Sequence, residues 1–167
     1  MAHTPRHIVV MGVSGNGKST IGAALADRLG AVFLEGDEFH PQANVAKMSA
    51  GIPLTDDDRW PWLDILAAEI ARRDEAGERT VLACSALRRA YRDRLRARVP
   101  DLFFIHPSAD YDTIHARMQA REHFMPPALL RSQFDTLEPL GADEAGDVVD
   151  ATAPPSMVIA EAIAAVE

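Results

Sequence analysis

The sequence predicts an α/β fold, a parallel sheet with helices on both of its faces, and two observations carry that prediction. Short β-branched or aromatic runs alternate with longer stretches of helical periodicity, the pattern of successive strand–helix–strand units. The string Gly12-Val13-Ser14-Gly15-Asn16-Gly17-Lys18-Ser19 stands directly between the first run and the first helical stretch, where a glycine-rich loop feeds a helix N-terminus. The length, 167 residues, suits one domain whose core needs no disulfide or metal.

Taken in order, Ile8-Val9-Val10-Met11 reads as the first strand. Residues 18–29 form a helix with apolar positions at 21, 25 and 29, ended by Gly30. The second strand is 31–34, and a short helix fills 41–51. Thr55 before Asp56-Asp57-Asp58 is a cap followed by an acidic first turn, so a helix runs from there to about 75 and Gly77 closes it. The third strand is 80–84, followed by a basic helix over 86–98 that Pro100 stops. The fourth strand is 102–105, and a helix over 111–122 meets the break His123-Phe124-Met125-Pro126-Pro127. A short helix over 128–137, a fifth strand over 147–150 and a helix over 156–166 complete the chain. No repeat, low-complexity tract or linker divides it, so a single domain over 1–167 is expected.

Composition narrows the function. The chain is 47% apolar and 25% charged, which excludes wholesale disorder. Its 17 Lys and Arg against 25 Asp and Glu give a net charge of −8, which disfavours nucleic acid and anionic membrane as partners. No apolar run approaches the ~20 residues of a membrane span, and residues 1–7 lack the apolar segment of a secretory signal. The lone Cys84 lies in an apolar run and reads as a reduced core thiol, so a cytoplasmic protein is expected. Lys18 and Lys47 are the only lysines beside 15 arginines, and lysine offers a compact point charge on a flexible stem.

The 12–19 string fits G-x-x-x-x-G-K-[ST]. Its glycines let successive backbone N–H groups turn inward on an anion, and the helix N-terminus adds partial positive charge. Lys18 reaches β- and γ-phosphates, and the Ser19 hydroxyl can ligate Mg²⁺. Gly12, Val13, Ser14, Gly15, Asn16, Gly17, Lys18, Ser19 and Thr20 are therefore the expected contacts to a nucleoside triphosphate. No N-K-x-D guanine motif is present, and the D-x-x-G strings at 74–77 and 143–146 follow no apolar strand. The third strand ends in Cys84-Ser85 rather than an aspartate. A small-molecule or nucleotide kinase remains. Glu35-Gly36-Asp37, after the second strand, is either a solvated acidic turn or a working pair. In the second case one carboxylate holds hydrated metal and the other orients an attacking hydroxyl.

Several further strings are more specific: Gly36-Asp-Glu-Phe-His-Pro41, Leu54-Thr-Asp-Asp-Asp-Arg-Trp-Pro-Trp-Leu63, Cys84-Ser-Ala-Leu87 with Tyr91-Arg-Asp93, His123-Phe-Met, and Ser132-Gln-Phe with Leu137-Glu138-Pro139. Together with the phosphate loop they make the chain resemble the gluconokinases, small P-loop enzymes that phosphorylate D-gluconate with ATP. The resemblance runs from about 9 to 149. It implies a three-layer, NMP-kinase-like P-loop fold with a five-stranded parallel sheet, a substrate-binding helical segment over about 38–75, a short lid over about 121–137, and a homodimer. It also implies that Asp37 meets the substrate hydroxyl and that His40, Lys47 and Arg59 line the acceptor pocket. Arg59 offers a two-pronged donor to a carboxylate; its alternative is a salt bridge with Asp56 or Asp57. Ser85 completes that set with Arg88 and Arg92, two of six arginines on the 86–98 stretch, four apart just past the third strand. Arg94, Arg96 and Arg98 read as a solvated face, and Trp60 and Trp62 as packing. In the family's fold the lid closes near Arg117 and Arg121. Arg121, nearer the break, is expected to neutralise the transferring phosphoryl group, and Arg117 to face adenine or phosphates. The chain departs from the family's Asp-Gly-Asp at Glu35, whose expected metal contact runs through water, and has Thr152 where a second acidic residue is expected. The rival readings are a shikimate-type or other small-molecule kinase on this fold, and a non-catalytic ATP-binding regulator.

Overall fold

The computed structural model describes residues 4–120 and 127–167. They form five strands: β1 (His7–Val10), β2 (Val32–Glu35), β3 (Thr80–Ala83), β4 (Phe103–Ser108) and β5 (Gly146–Asp150). The described helices are α1 (Lys18–Leu29), α2 (Gln42–Ser49), α3 (Asp56–Glu75), α4 (Arg89–Arg98), α5 (Tyr111–Ala120), α6 (Pro127–Thr136) and α7 (Pro155–Val166). All strand pairs are parallel and the sheet order is β2-β3-β1-β4-β5. Among the described residues no helix is long and apolar enough to cross a membrane.

Side chains alternate across each strand, so one sequence run feeds two cores. Val9, Leu82 and Phe104 face α3 and α4, packing with Trp62, Leu66, Ile70, Tyr91 and Leu95. Ile8, Val10, Val81 and Ile105 face α1 and α7, packing with Ile21, Leu25, Val158 and Ala162. The chain leaves β1 toward β2 on one side, and later continues from β4 to β5 on the other. The strand ends beside that reversal, where β1 lies between β3 and β4, are where an open α/β sheet holds ligands.

Local chemistry sets the boundaries. Gly30 ends α1 in the left-handed region at φ 65°, where a side chain is unfavourable. Thr55 caps α3 as expected, and the structure adds a reciprocal bond: its hydroxyl accepts from Asp58 N–H at 3.2 Å, and Asp58 Oδ2 accepts from Thr55 N–H at 2.8 Å. The basic helix begins at Arg89 rather than at 86, because Ala86 stands at φ 42° and Arg88 is extended. Strand β4 runs past 105 through Pro107. The Pro107 carbonyl accepts from Asn16 Nδ2, so its missing N–H faces the edge that β1 has vacated and no ladder bond is lost.

Arg92 is the largest correction to the expected acceptor set. It is fully buried, donating to Glu144 through Nε at 2.8 Å and Nη2 at 3.0 Å, and to the carbonyls of Ala86, Leu87 and Pro139. Arg96 also reaches Glu144 at 2.7 Å and lies over Phe104, so it too leaves the solvated face. Burial opposes ionisation of Glu144, but Arg92, Gly141 N–H and Arg96 outweigh it and hold the carboxyl at about 2. A carboxyl so depressed stabilises the fold above its ordinary titration range and loses that contribution only as pH falls toward 2. Glu144→Gln leaves the Arg92 charge buried without its counterion. It is expected to cost about 3–5 kcal/mol in urea unfolding at pH 7; a loss below 1 kcal/mol would contradict this role.

Candidate active site

The phosphate loop bridges β1 and α1 and opens on a cleft of about 540 Å³. Its outer amides are used by the protein itself: Met11 N–H donates to Ile105 O, Gly12 N–H to Ser85 O, and Ser14 N–H to Gln133 Oε1. Its inner amides are open. Gly15 and Gly17 take φ 81° and 88°, and the N–H groups of Gly15, Gly17, Ser19 and Thr20 have no partner among the described residues. Inward-turned, unpaired amides at a helix N-terminus form a cradle for a polyphosphate. Asn16 braces it from behind. Its side chain is buried, donating to Met11 O and Pro107 O at 2.9 Å and accepting from Lys18 N–H at 3.0 Å. That side chain is therefore fully occupied and is a strut rather than a phosphate ligand.

Lys18 lies against the loop, with Nζ donating to Val13 O at 3.3 Å. Burial lowers its pKa, and the charges of Asp37 and Glu35 oppose that shift. The Cys84 thiol is buried and pushed up to about 12, so it is inert core. Ser19 Oγ donates to Glu35 Oε2 at 2.5 Å, placing a carboxylate next to the hydroxyl expected to ligate metal. Oxygen donors of this kind suit Mg²⁺. Among the described residues no group of three or more His, Cys, Asp or Glu forms a metal cage.

The acceptor wall starts where β2 ends. Gly36 passes so close to the Ala83 carbonyl that a Cβ would collide with it, and this lets residues 36–39 turn tightly into the cleft mouth. The turn presents Asp37, whose side chain is 74% exposed, beside the buried His40 ring, with Nε2–Oδ1 at 3.8 Å. His40 stacks on Trp62 at 4.1 Å between ring centroids. Asn44 Nδ2 donates to Asp58 O at 2.9 Å, which fixes its amide; the same nitrogen faces His40 Nδ1 at 3.1 Å, so Nδ1 accepts and the ring proton sits on Nε2. Burial lowers the His40 pKa, Asp37 opposes this, and Arg59 adds to it. A neutral imidazole thus offers Nε2–H toward Asp37. Arg59 lines the same cleft, largely buried, donating to Tyr91 OH at 2.9 Å and lying 3.8 Å from Asp56. Trp62 packs, as expected, and donates to Gly36 O at 2.9 Å.

Ser14, Gly15, Gly17, Lys18, Ser19, Thr20, Asp37, His40, Arg59, Ser85 and Arg117 all line the one cleft. Gly12, Val13 and Asn16 of the loop are not on its lining, and neither are four expected residues outside the loop. Lys47 is tied to Asp58 at 2.7 Å and holds that carboxyl at about 2, so it braces the α3 cap instead of facing the acceptor. Arg88 pairs with Asp56 at 3.5 Å in a shallower depression that Arg59 also borders. Arg92 is buried behind it, and Glu35 reaches Ser19 without lining the cleft. Arg121 and the expected lid residues 123–125 lie outside the described residues. The structure adds Leu129, Ser132 and Gln133 of α6 and Met118 of α5 to the wall. Ser132 and Gln133 stand in the Ser132-Gln-Phe string that the sequence singles out, but that string carries no role by itself, and the Gln133 partner, Ser14, lies 119 positions away. The cleft therefore joins a polyphosphate cradle to a wall carrying one open carboxylate, one neutral imidazole and one guanidinium.

Comparison with known proteins gives this arrangement a context. A family model described as an AAA domain matches residues 8–140. The gluconokinase of Gluconobacter oxydans (strain 621H) is 48% identical over 164 residues, covering 98% of this chain and 92% of its own. The thermoresistant gluconokinase of Escherichia coli (strain K12) is 43% identical over 163 residues, 96% of this chain and 93% of its own. The crystal structure of a gluconokinase from Sinorhizobium meliloti 1021 superposes with a TM-score of 0.91 at 45% identity, covering 98% of this chain and 93% of that one.

Proposed function

The chain belongs to the gluconokinase family, and from that premise we propose that it transfers the γ-phosphoryl group of ATP to the terminal hydroxyl of D-gluconate, giving 6-phospho-D-gluconate. The observation that carries this reading is the meeting of Lys18 and the open loop amides with Asp37, His40 and Arg59 in one cleft.

Phosphoryl transfer asks little covalent chemistry of a protein and much positioning. The inner loop amides hold the β- and γ-phosphates, and Lys18 places its ammonium on them. Ser19 directly, and Glu35 through water, would hold Mg²⁺, which when bound neutralises phosphate charge. Asp37 accepts the hydrogen bond of the attacking hydroxyl and takes its proton as the new ester bond forms. Arg59 and His40 Nε2–H donate to the carboxylate and hydroxyls of the sugar acid, with helical segment 38–75 as their frame. Arg117 faces the nucleotide; Arg121 keeps its expected role of neutralising the transferred group, on its sequence position alone. A cytoplasmic location and a homodimer belong to the same proposal, supported by the buried thiol and by the family resemblance.

The cationic wall suits other small carboxylates, shikimate among them, so gluconate is favoured by the relatives rather than by charge alone. ADP release measured across gluconate, shikimate, nucleoside monophosphates and neutral sugars tests this. Gluconate is expected to stimulate turnover most; equal response to shikimate, or no acceptor response, would contradict it. The neutral His40 makes a second expectation. Because burial lowers its pKa below the ordinary ~6.5, its protonation impairs the acceptor wall only at more acid pH. The acid limb of kcat/KM for gluconate that His40→Gln removes should lie below pH 6.5; a limb above that value would count against the assigned tautomer.

A further inference from the structure

Gln133 has no part in the roles above, yet it stands in the cleft wall. It belongs to α6, and its side chain crosses to the phosphate loop, where Oε1 accepts from Ser14 N–H at 2.7 Å. A backbone N–H can only donate, so the atom facing it is the amide oxygen, and chemistry alone fixes the orientation of the amide. Nε2 then carries two protons with no partner among the described residues, in the cleft that Gly15, Lys18 and Arg117 also line.

We propose that Gln133 is a further ligand of the terminal phosphoryl group of ATP: Oε1 anchors the side chain on Ser14 N–H, and Nε2 donates to a γ-phosphate oxygen. This rests on reading the cleft as a kinase site. The residue type suits both halves of the task. Lysine or arginine has no acceptor for the Ser14 N–H, and glutamate accepts but has no proton to donate. Glutamine does both, and its neutrality adds donors without another full charge that would hold the product. The tie also links α6 to the state of the loop, since the donors on one end of the amide find a partner only when a third phosphate is present.

Gln133→Glu separates the two ends of the amide. It keeps an acceptor for Ser14 N–H, loses both donors and sets a negative charge beside the phosphate. ATP and ADP affinities measured by titration calorimetry, before any acceptor is added, read the result. A donor bond to a charged group carries about 10- to 100-fold in affinity. ATP binding should weaken by at least about tenfold in Gln133→Glu, and ADP binding should stay within about threefold, at an unchanged thermal midpoint. Gln133→Ala should show the same ATP-selective loss. Wild-type ATP affinity in Gln133→Glu, equal weakening of ATP and ADP, or tighter ATP binding in Gln133→Ala would each overturn the proposal. The last would mark an amide that competes with the phosphate. Acceptor-stimulated turnover of the wild-type chain, run alongside, judges the kinase reading separately, because nucleotide titration does not depend on which acceptor is used.

Discussion

Lys18→Met is expected to lower kcat/KM for ATP by ~10³-fold while the protein stays folded. The magnitude follows from what removing one preorganised charge costs at a transferring phosphoryl group. Lys18 lies against the loop it serves, and its ammonium is disfavoured by burial when no phosphate is present. Methionine has similar length and no charge to desolvate, so the thermal midpoint should not fall. The core beneath, with Val10 and Met11 fully buried, does not use the ammonium. Steady-state kinetics with circular dichroism melting checks both halves. Activity within tenfold of wild type would contradict the assignment, and a collapsed melt would remove the claim that the effect is chemical.

Asp37→Asn should cost ~10²- to 10³-fold in kcat, with a smaller change in KM for gluconate. A positioned proton acceptor contributes on this scale, and the amide cannot take the hydroxyl proton. The carboxylate is mostly exposed and makes no hydrogen bond to the core among the described residues, so the substitution carries little folding cost. Asp37 also opposes the burial shifts of Lys18 and His40, so asparagine should lower both pKa values further. If kcat holds within threefold and only KM rises, Asp37 binds the acceptor and does not handle its proton.

Much of this site was legible because its signals are local. Residues 12–19 sit in eight consecutive positions, and the strand before them and the helix after them are what the motif needs. The Thr55 cap was legible for the same reason, since both bonds close within four residues. The failures share a different cause. Lys47 and Arg92 are cations whose destination depends on a carboxylate distant in the chain: Asp58 on the next helix, and Glu144 in a string that reads as loop. The four-residue spacing of Arg88 and Arg92 is helical only if the helix starts at 86. The Arg92 guanidinium instead bonds the Ala86 and Leu87 carbonyls ahead of a helix beginning at Arg89. Gln133 is marked by the Ser132-Gln-Phe string but without a role, because an amide on a short helix gains one only from the Ser14 N–H brought to it by the fold. Glu35 is legible from its place beside Gly36 and Asp37 after β2, and its bond to Ser19 Oγ shows how the longer side chain reaches the loop.

The central claim is that one cleft hands a phosphoryl group from the loop amides and Lys18 to a hydroxyl held by Asp37. Phosphorus NMR of the wild-type protein with ATP, Mg²⁺ and gluconate reads that transfer directly. The account predicts one new phosphomonoester signal, coupled to the two protons of the terminal methylene and growing in step with ADP. Inorganic phosphate growing in its place, or an ester coupled to a single ring-less carbinol proton, would contradict it.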